Sequence, residues 1–139
     1  MSTSIAQIQQ ELVDEFAMFQ DWQDRYEHLI DMAKGLQTID PSRKLDDNLV
    51  RGCQSRVWLH GEKVDGKVRF TADSDALITK GIVALLVRVY SGHTPQEILG
   101  ASSEFIDRIG LRQHLSPNRA NGLSAMIDQM KHYALAFSA

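Results

Sequence analysis

Cys53 is the only thiol among 139 residues, and it is the first side chain whose chemistry needs an explanation. It stands in Asn48-Leu-Val-Arg-Gly-Cys-Gln-Ser-Arg-Val-Trp-Leu59. Gly52 allows a sharp bend just before it, and Gln54 and Ser55 follow, so the cysteine is not set in an apolar run. Arg51 and Arg56 lie within three residues of it, and cations beside a thiol favour the thiolate, the form that attacks. An extended backbone would put Cys53 on the face shared with Val57 and Leu59, which points inward. The residues thus leave two readings open, a reactive thiol at a loop edge or a buried structural cysteine. A single cysteine excludes an internal disulfide, a CxxC redox pair, a cysteine-based zinc site built by one chain, and an iron–sulfur cluster held by this chain's thiolates alone.

The other reactive residue types form weaker patterns. The five histidines (His28, His60, His93, His114, His132) show no paired ligand spacing, so no metal site is expected. His114 is the best placed of them, in a connector before a helix. Asp73-Ser74-Asp75 reads as helix-start chemistry. No glycine-rich phosphate loop, Walker sequence or Ser-His-Asp motif is present. The net charge of −3 argues against general nucleic-acid binding. The longest apolar run, Gly81–Val87, ends at Arg88 and is far short of a membrane span. Residues 1–20 are acidic and amphipathic, unlike a signal peptide. Together these features lead to an expectation of a reducing, cytoplasmic setting with no membrane association.

The elements that must position Cys53 follow from periodicity. Length and a hydrophobic content of 43% suit one domain, residues 1–139. Ile5, Ile8, Leu12, Phe16 and Phe19 form one helical stripe, and Trp22, Tyr26, Leu29, Ile30 and Ala33 a second. Gly35 is expected to end the second helix in the left-handed conformation. Residues 37–52 carry loop signals. Residues 55–70 change to an alternating, β-branched pattern, with Asp65-Gly66 as a hairpin turn and His60-Gly61 as a second turn or bulge. Leu77, Ile78, Gly81, Ile82, Leu85, Leu86, Val89 and Tyr90 mark a central helix with Ser74 as its cap. Thr94-Pro95-Gln96-Glu97 is a capping box. A short helix at residues 103–109 ends at Gly110, and Ser116-Pro117 opens the last helix. The expected class is α+β, with helices packed on a small antiparallel three-stranded sheet.

In order and spacing the sequence resembles the SufE family of sulfur acceptors. The resemblance rests on Gly52-Cys53-Gln54-Ser55 with Val57-Trp58, Asp73-Ser74-Asp75-Ala76, Lys80-Gly81, Thr94-Pro95 with Ile98, Gln113-His114-Leu115-Ser116-Pro117 with Arg119, and Gly122-Leu123 with Met126-Ile127. The related CsdE branch shares these blocks. The resemblance implies a SufE/IscU-like fold and a partner, a pyridoxal-phosphate cysteine desulfurase of the SufS or CsdA type. It also implies that Cys53 takes sulfur from the partner's persulfide, stimulates the partner, and passes the sulfur toward an iron–sulfur scaffold. No cofactor is expected on this chain, since pyridoxal phosphate belongs to the partner. Gly52, Gln54, Arg56, His114 and Arg119 are the supporting residues this reading names, and Arg51, Asp73 and Asp75 are expected to face the partner. The inward parity of Cys53 then suggests a sheltered thiol that swings out in the complex about Gly52. A non-carrier desulfurase-binding module, with a structural Cys53, is the alternative.

Overall fold

A computed structural model describes residues 4–36, 38–52 and 55–138. Cys53 and Gln54 therefore lie outside the described residues, and the expectations for their side chains are not addressed by the fold. Helix α1 (Ile5–Ala17) starts at Ser4, whose side chain and that of Gln7 cap each other's backbone N–H groups. Helix α2 (Trp22–Lys34) starts at Asp21, whose carboxylate accepts the Asp24 N–H. Two short 3-10 turns follow, Pro41–Arg43 and Asp46–Asn48. Strands β1 (Val57–Val64) and β2 (Lys67–Ser74) form an antiparallel hairpin. Its turn residues, Asp65 and Gly66, have φ of 53° and 79°, the double positive φ that matches the twist of paired strands.

The inward face of the hairpin, Val57, Leu59, Val68, Phe70 and Ala72, joins the core. Helix α3 (Leu77–Tyr90) is buried along most of its length and packs on α2 and β2. At Gly81 the two helices approach so closely that a methyl group would overlap the Leu29 carbonyl of α2. Helix α4 (Pro95–Gly100) carries the Thr94–Glu97 capping box. Helix α5 (Glu104–Ile109) ends at Gly110 (φ 88°). A single-turn helix α6 (Leu111–His114) precedes the long α7 (Pro117–Phe137), which Ser116 caps.

Several details depart from the sequence expectation. Among the described residues the sheet has two strands, not three. Beyond them only single bridges occur, Thr38 to Ala72 and His93 to Val68 beside β2, and Leu49 to Trp58 beside β1; Pro41 and the two 3-10 turns interrupt the extended chain between Thr38 and Leu49. Gly61 makes no turn. It pairs with Phe70 inside β1, where a Cβ would come within 2.9 Å of the Tyr133 ring. Gly35 ends α2 with φ of −92°, outside the left-handed region. Ser74 does not cap α3, whose cap position is Ala76. Leu77, expected on the apolar face of α3, is exposed. Periodicity does not anticipate α6, because that helix spans a single turn.

Candidate functional site

The chain enters the Cys53 loop through strand-like pairing. Leu49 bridges Trp58, and the Val50 N–H donates to the Val57 carbonyl at 2.8 Å. Val50 is buried, whereas Arg51 and Gly52 are exposed. Gly52 has φ of 95°, and a Cβ there would make ordinary contact, at 3.4 Å, with the Ala125 Cβ of α7. Glycine is thus favoured at Gly52 by the backbone conformation rather than by lack of space.

The exit is held from the far end of β2. The Arg56 N–H donates to Asp75 Oδ1 at 3.1 Å, and the Asp75 N–H donates to the Arg56 carbonyl at 3.3 Å. Ser74 Oγ donates to the same carbonyl at 2.8 Å and accepts the Ala76 N–H at 3.3 Å. This explains why Ser74 and Asp75 are not used as an ordinary helix cap: their polar atoms grip the backbone of Arg56. Asp75, expected to face a partner, is exposed, and its Oδ1 also accepts the Arg56 N–H of the loop.

Asp73 also has internal partners. Its carboxylate meets Lys44 Nζ at 2.6 Å and Lys80 Nζ at 3.3 Å, and Lys44 sits 5.1 Å from the centre of the Trp58 ring. Burial pushes the Asp73 carboxyl upward, but hydrogen bonds from Lys44, the Ser74 N–H and Lys80, with the Lys80 charge, outweigh it and hold the group below the usual carboxylate range. The cluster ties the 3-10 turns to β2 and to the first turns of α3, beside the loop entrance.

Two cavities border the loop. One, of about 400 Å³ and open to solvent, is lined by Asp46, Leu49, Arg51, Gly52, Ser55 and Arg56. The other, of about 70 Å³, lies between Ser55, Thr79 of α3 and Arg119, Gly122 and Met126 of α7. Arg119 is therefore brought to the loop although it is more than sixty residues away in sequence. Its N–H is fixed by Ser116 Oγ at 3.3 Å. Among the described residues, Arg51, Arg56 and Arg119 form no ion pair with a carboxylate.

His114 is placed elsewhere. Its ring stacks on Trp22 of α2 with centroids 3.9 Å apart, its Nδ1 lies 3.0 Å from the Gly110 carbonyl, and its own carbonyl accepts the Tyr26 hydroxyl at 2.8 Å. It anchors the α6–α7 corner on α2 rather than joining the loop. Sequence reasoning named Ser55 and Lys80 only within the family blocks, without a role, and missed Thr79 and Lys44. Only Thr79, a polar residue within the apolar face of α3, carried a local signal. Among the described residues no cluster of three or more His, Cys, Asp or Glu could hold a metal ion, and no helix is long and apolar enough to cross a membrane.

Comparison with known proteins addresses the family and the fold. Residues 10–134 match the SufE family, described as an Fe–S metabolism associated domain. An uncharacterized SufE-like protein of Rhizobium meliloti is 36% identical over 129 residues, covering 89% of this chain and 92% of that protein. An uncharacterized SufE-like protein of Synechocystis is 39% identical over 126 residues, covering 91% and 79%. SufE-like protein 1, chloroplastic/mitochondrial, of Arabidopsis thaliana is 40% identical over 127 residues, covering 91% of this chain and 34% of that protein. The solution structure of a hypothetical protein from Thermus thermophilus shares the fold, with a TM-score of 0.79 at 22% identity over 94% and 96% of the two chains. On the extent of the family match and the identity of these relatives, the chain belongs to the SufE family.

Proposed function

We propose that this protein accepts sulfur from a pyridoxal-phosphate cysteine desulfurase, stimulates that enzyme, and delivers the sulfur to iron–sulfur cluster assembly. The observation that carries the reading is the SufE match itself, which spans residues 10–134 and so includes the one cysteine. The chemistry is thiol exchange. The Cys53 thiolate attacks the terminal sulfur of the partner's persulfide. A new S–S bond forms on Cys53 as the old one breaks, and the partner's thiolate leaves. No external oxidant or reductant enters. A second cysteine close by would attack the carried persulfide and release sulfide, so a lone thiol suits a carrier.

The surroundings support this role in parts. Gly52 gives the loop a turn, the Asp75–Arg56 contacts fix where it returns, and Arg51, Arg56 and Arg119 supply positive charge for a thiolate or persulfide anion. Pyridoxal phosphate stays on the partner. A reducing compartment such as the cytoplasm fits a persulfide carrier. A CsdE-type role, feeding another sulfur acceptor, uses the same chemistry. The test is alanine formation from L-cysteine by the desulfurase. Wild-type protein accelerates it and Cys53→Ser does not. Full acceleration by Cys53→Ser would leave a non-carrier binding module.

A further inference from the structure

On the face of the hairpin opposite the core, His60, Glu62, Arg69 and Thr71 join Asp40 and Arg43 of the first 3-10 turn in lining one open cavity of about 760 Å³, a size that suits a small-molecule ligand. It lies toward the hairpin turn, away from the sulfur loop: about 20 Å of extended chain separates Arg56 from Glu62. Its lining is mainly polar and charged, and the charges are unspent. The strand register places Arg69 directly opposite Glu62, an arrangement that ordinarily closes into a cross-strand ion pair. Among the described residues, however, neither Arg69 nor Arg43 forms an ion pair. The Asp40 carboxylate accepts the Ser42 N–H and hydroxyl, at 2.9 and 2.8 Å, on the same oxygen, Oδ1. Glu62 Oε1 meets His60 Nε2 at 3.2 Å. Each carboxylate thus keeps a second oxygen, and each guanidinium its donors, beside one cavity.

We infer that this cavity binds a small zwitterion carrying an ammonium and a carboxylate group, either a free amino acid or a short peptide. The planar guanidinium of Arg43 or Arg69 binds a carboxylate through parallel N–H···O bonds. The unspent oxygens of Asp40 and Glu62 accept the hydrogens of an ammonium group. With His60 neutral, the two arginines and two carboxylates sum to zero charge. An anion or a cation alone meets repulsion from one pair as well as attraction from the other, whereas a zwitterion places each of its ends on the opposite charge. The site does not involve Cys53 and stands independently of the sulfur-acceptor reading.

The experiment follows the backbone amide NMR signals of the isotope-labelled full chain during titration with L-alanine, L-glutamate and triglycine. Acetate and methylammonium, which carry one charge each, are the controls. The expected result is a saturable shift of the Glu62, Arg69 and Thr71 amides, half-complete at about 1 mM or below, with at least one of the zwitterions and with neither control. Saturation by the amino acids alone identifies a free amino acid as the ligand class, and saturation by triglycine alone a peptide. Arg43→Gln/Arg69→Gln, at two exposed positions, should raise the half-saturating concentration at least about tenfold. Glu62→Gln should weaken zwitterion binding in the same direction. Shifts that grow without saturating, saturation that maps to other residues, acetate binding as tightly as the zwitterions, or unchanged binding in both variants overturns the inference.

Discussion

Two glycines, Gly81 and Gly52, show how differently the two halves of this molecule use the same residue. At Gly81 the backbone is ordinary helix and the constraint is space: the α2 backbone occupies the position a side chain would need. At Gly52 space is available, but φ of 95° disfavours any L side chain. The first is a packing constraint that holds the core together. The second is a conformational constraint in an exposed loop that contributes little to the core. Stability should therefore be concentrated around α2, α3 and the hairpin face, and the loop should be altered at modest cost to the fold.

Gly81→Ala gives the largest expected effect. The helices must separate or the backbone shift, and the loss should be about 3 kcal/mol or more in urea unfolding. A loss below about 1 kcal/mol would show that the α2–α3 approach is not a tight constraint. Asp73→Asn should cost about 2 kcal/mol at neutral pH by leaving Lys44 and Lys80 without their shared partner. It also tests a pH dependence. The folded-state pKa of Asp73 lies below the ordinary value of 3.8, so its contribution is fully present above the unfolded value and is lost as pH falls through the folded one. The acid limb of a stability–pH curve should become shallower in Asp73→Asn.

Gly52→Ala should cost about 1–2 kcal/mol, the penalty for a side chain at positive φ. Its effect on sulfur uptake should be large relative to that loss, whereas Gly81→Ala should impair uptake only in proportion to the fraction unfolded. Equal uptake per folded molecule in both variants would erase the contrast between the two regions. Tyr90→Phe is the smallest change. The Tyr90 hydroxyl is fully buried without a hydrogen-bond partner among the described residues. Burial pushes its pKa up to about 12, against a weaker opposing effect of the Arg112 charge. The native state keeps a proton that the unfolded chain releases from about pH 10, so wild-type stability falls between those values as pH rises. Tyr90→Phe should make that alkaline slope shallower, the part due to the half-buried Tyr133 remaining, and leave neutral-pH stability within about 1 kcal/mol.

The sequence was most legible where one local interaction decides the structure. Asp65-Gly66 makes the hairpin turn, Thr94–Glu97 and Ser116 cap their helices, and the stripes of α1 and α2 supply buried core residues. It was least legible where a distant group claims a residue with a strong local preference. Ser74 gives its hydroxyl to Arg56 instead of to a helix N-terminus, Gly61 stays in a strand because Tyr133 packs on it, and His114 is held by Trp22. The site divided in the same way. Gly52 and its neighbouring arginines could be read from the loop sequence. The approach of Arg119 to Ser55 and the pairing of Asp73 with two lysines depend on how the elements pack.

The central claim is that Cys53 carries sulfur, and intact-mass measurement tests it most directly. After incubation with the desulfurase and L-cysteine, the protein should gain the mass of one sulfur atom. The gain should map to Cys53, reverse with a thiol reductant, and be absent from Cys53→Ser. An unchanged mass in wild-type protein, with a desulfurase shown to be active and charged with persulfide, would contradict the account.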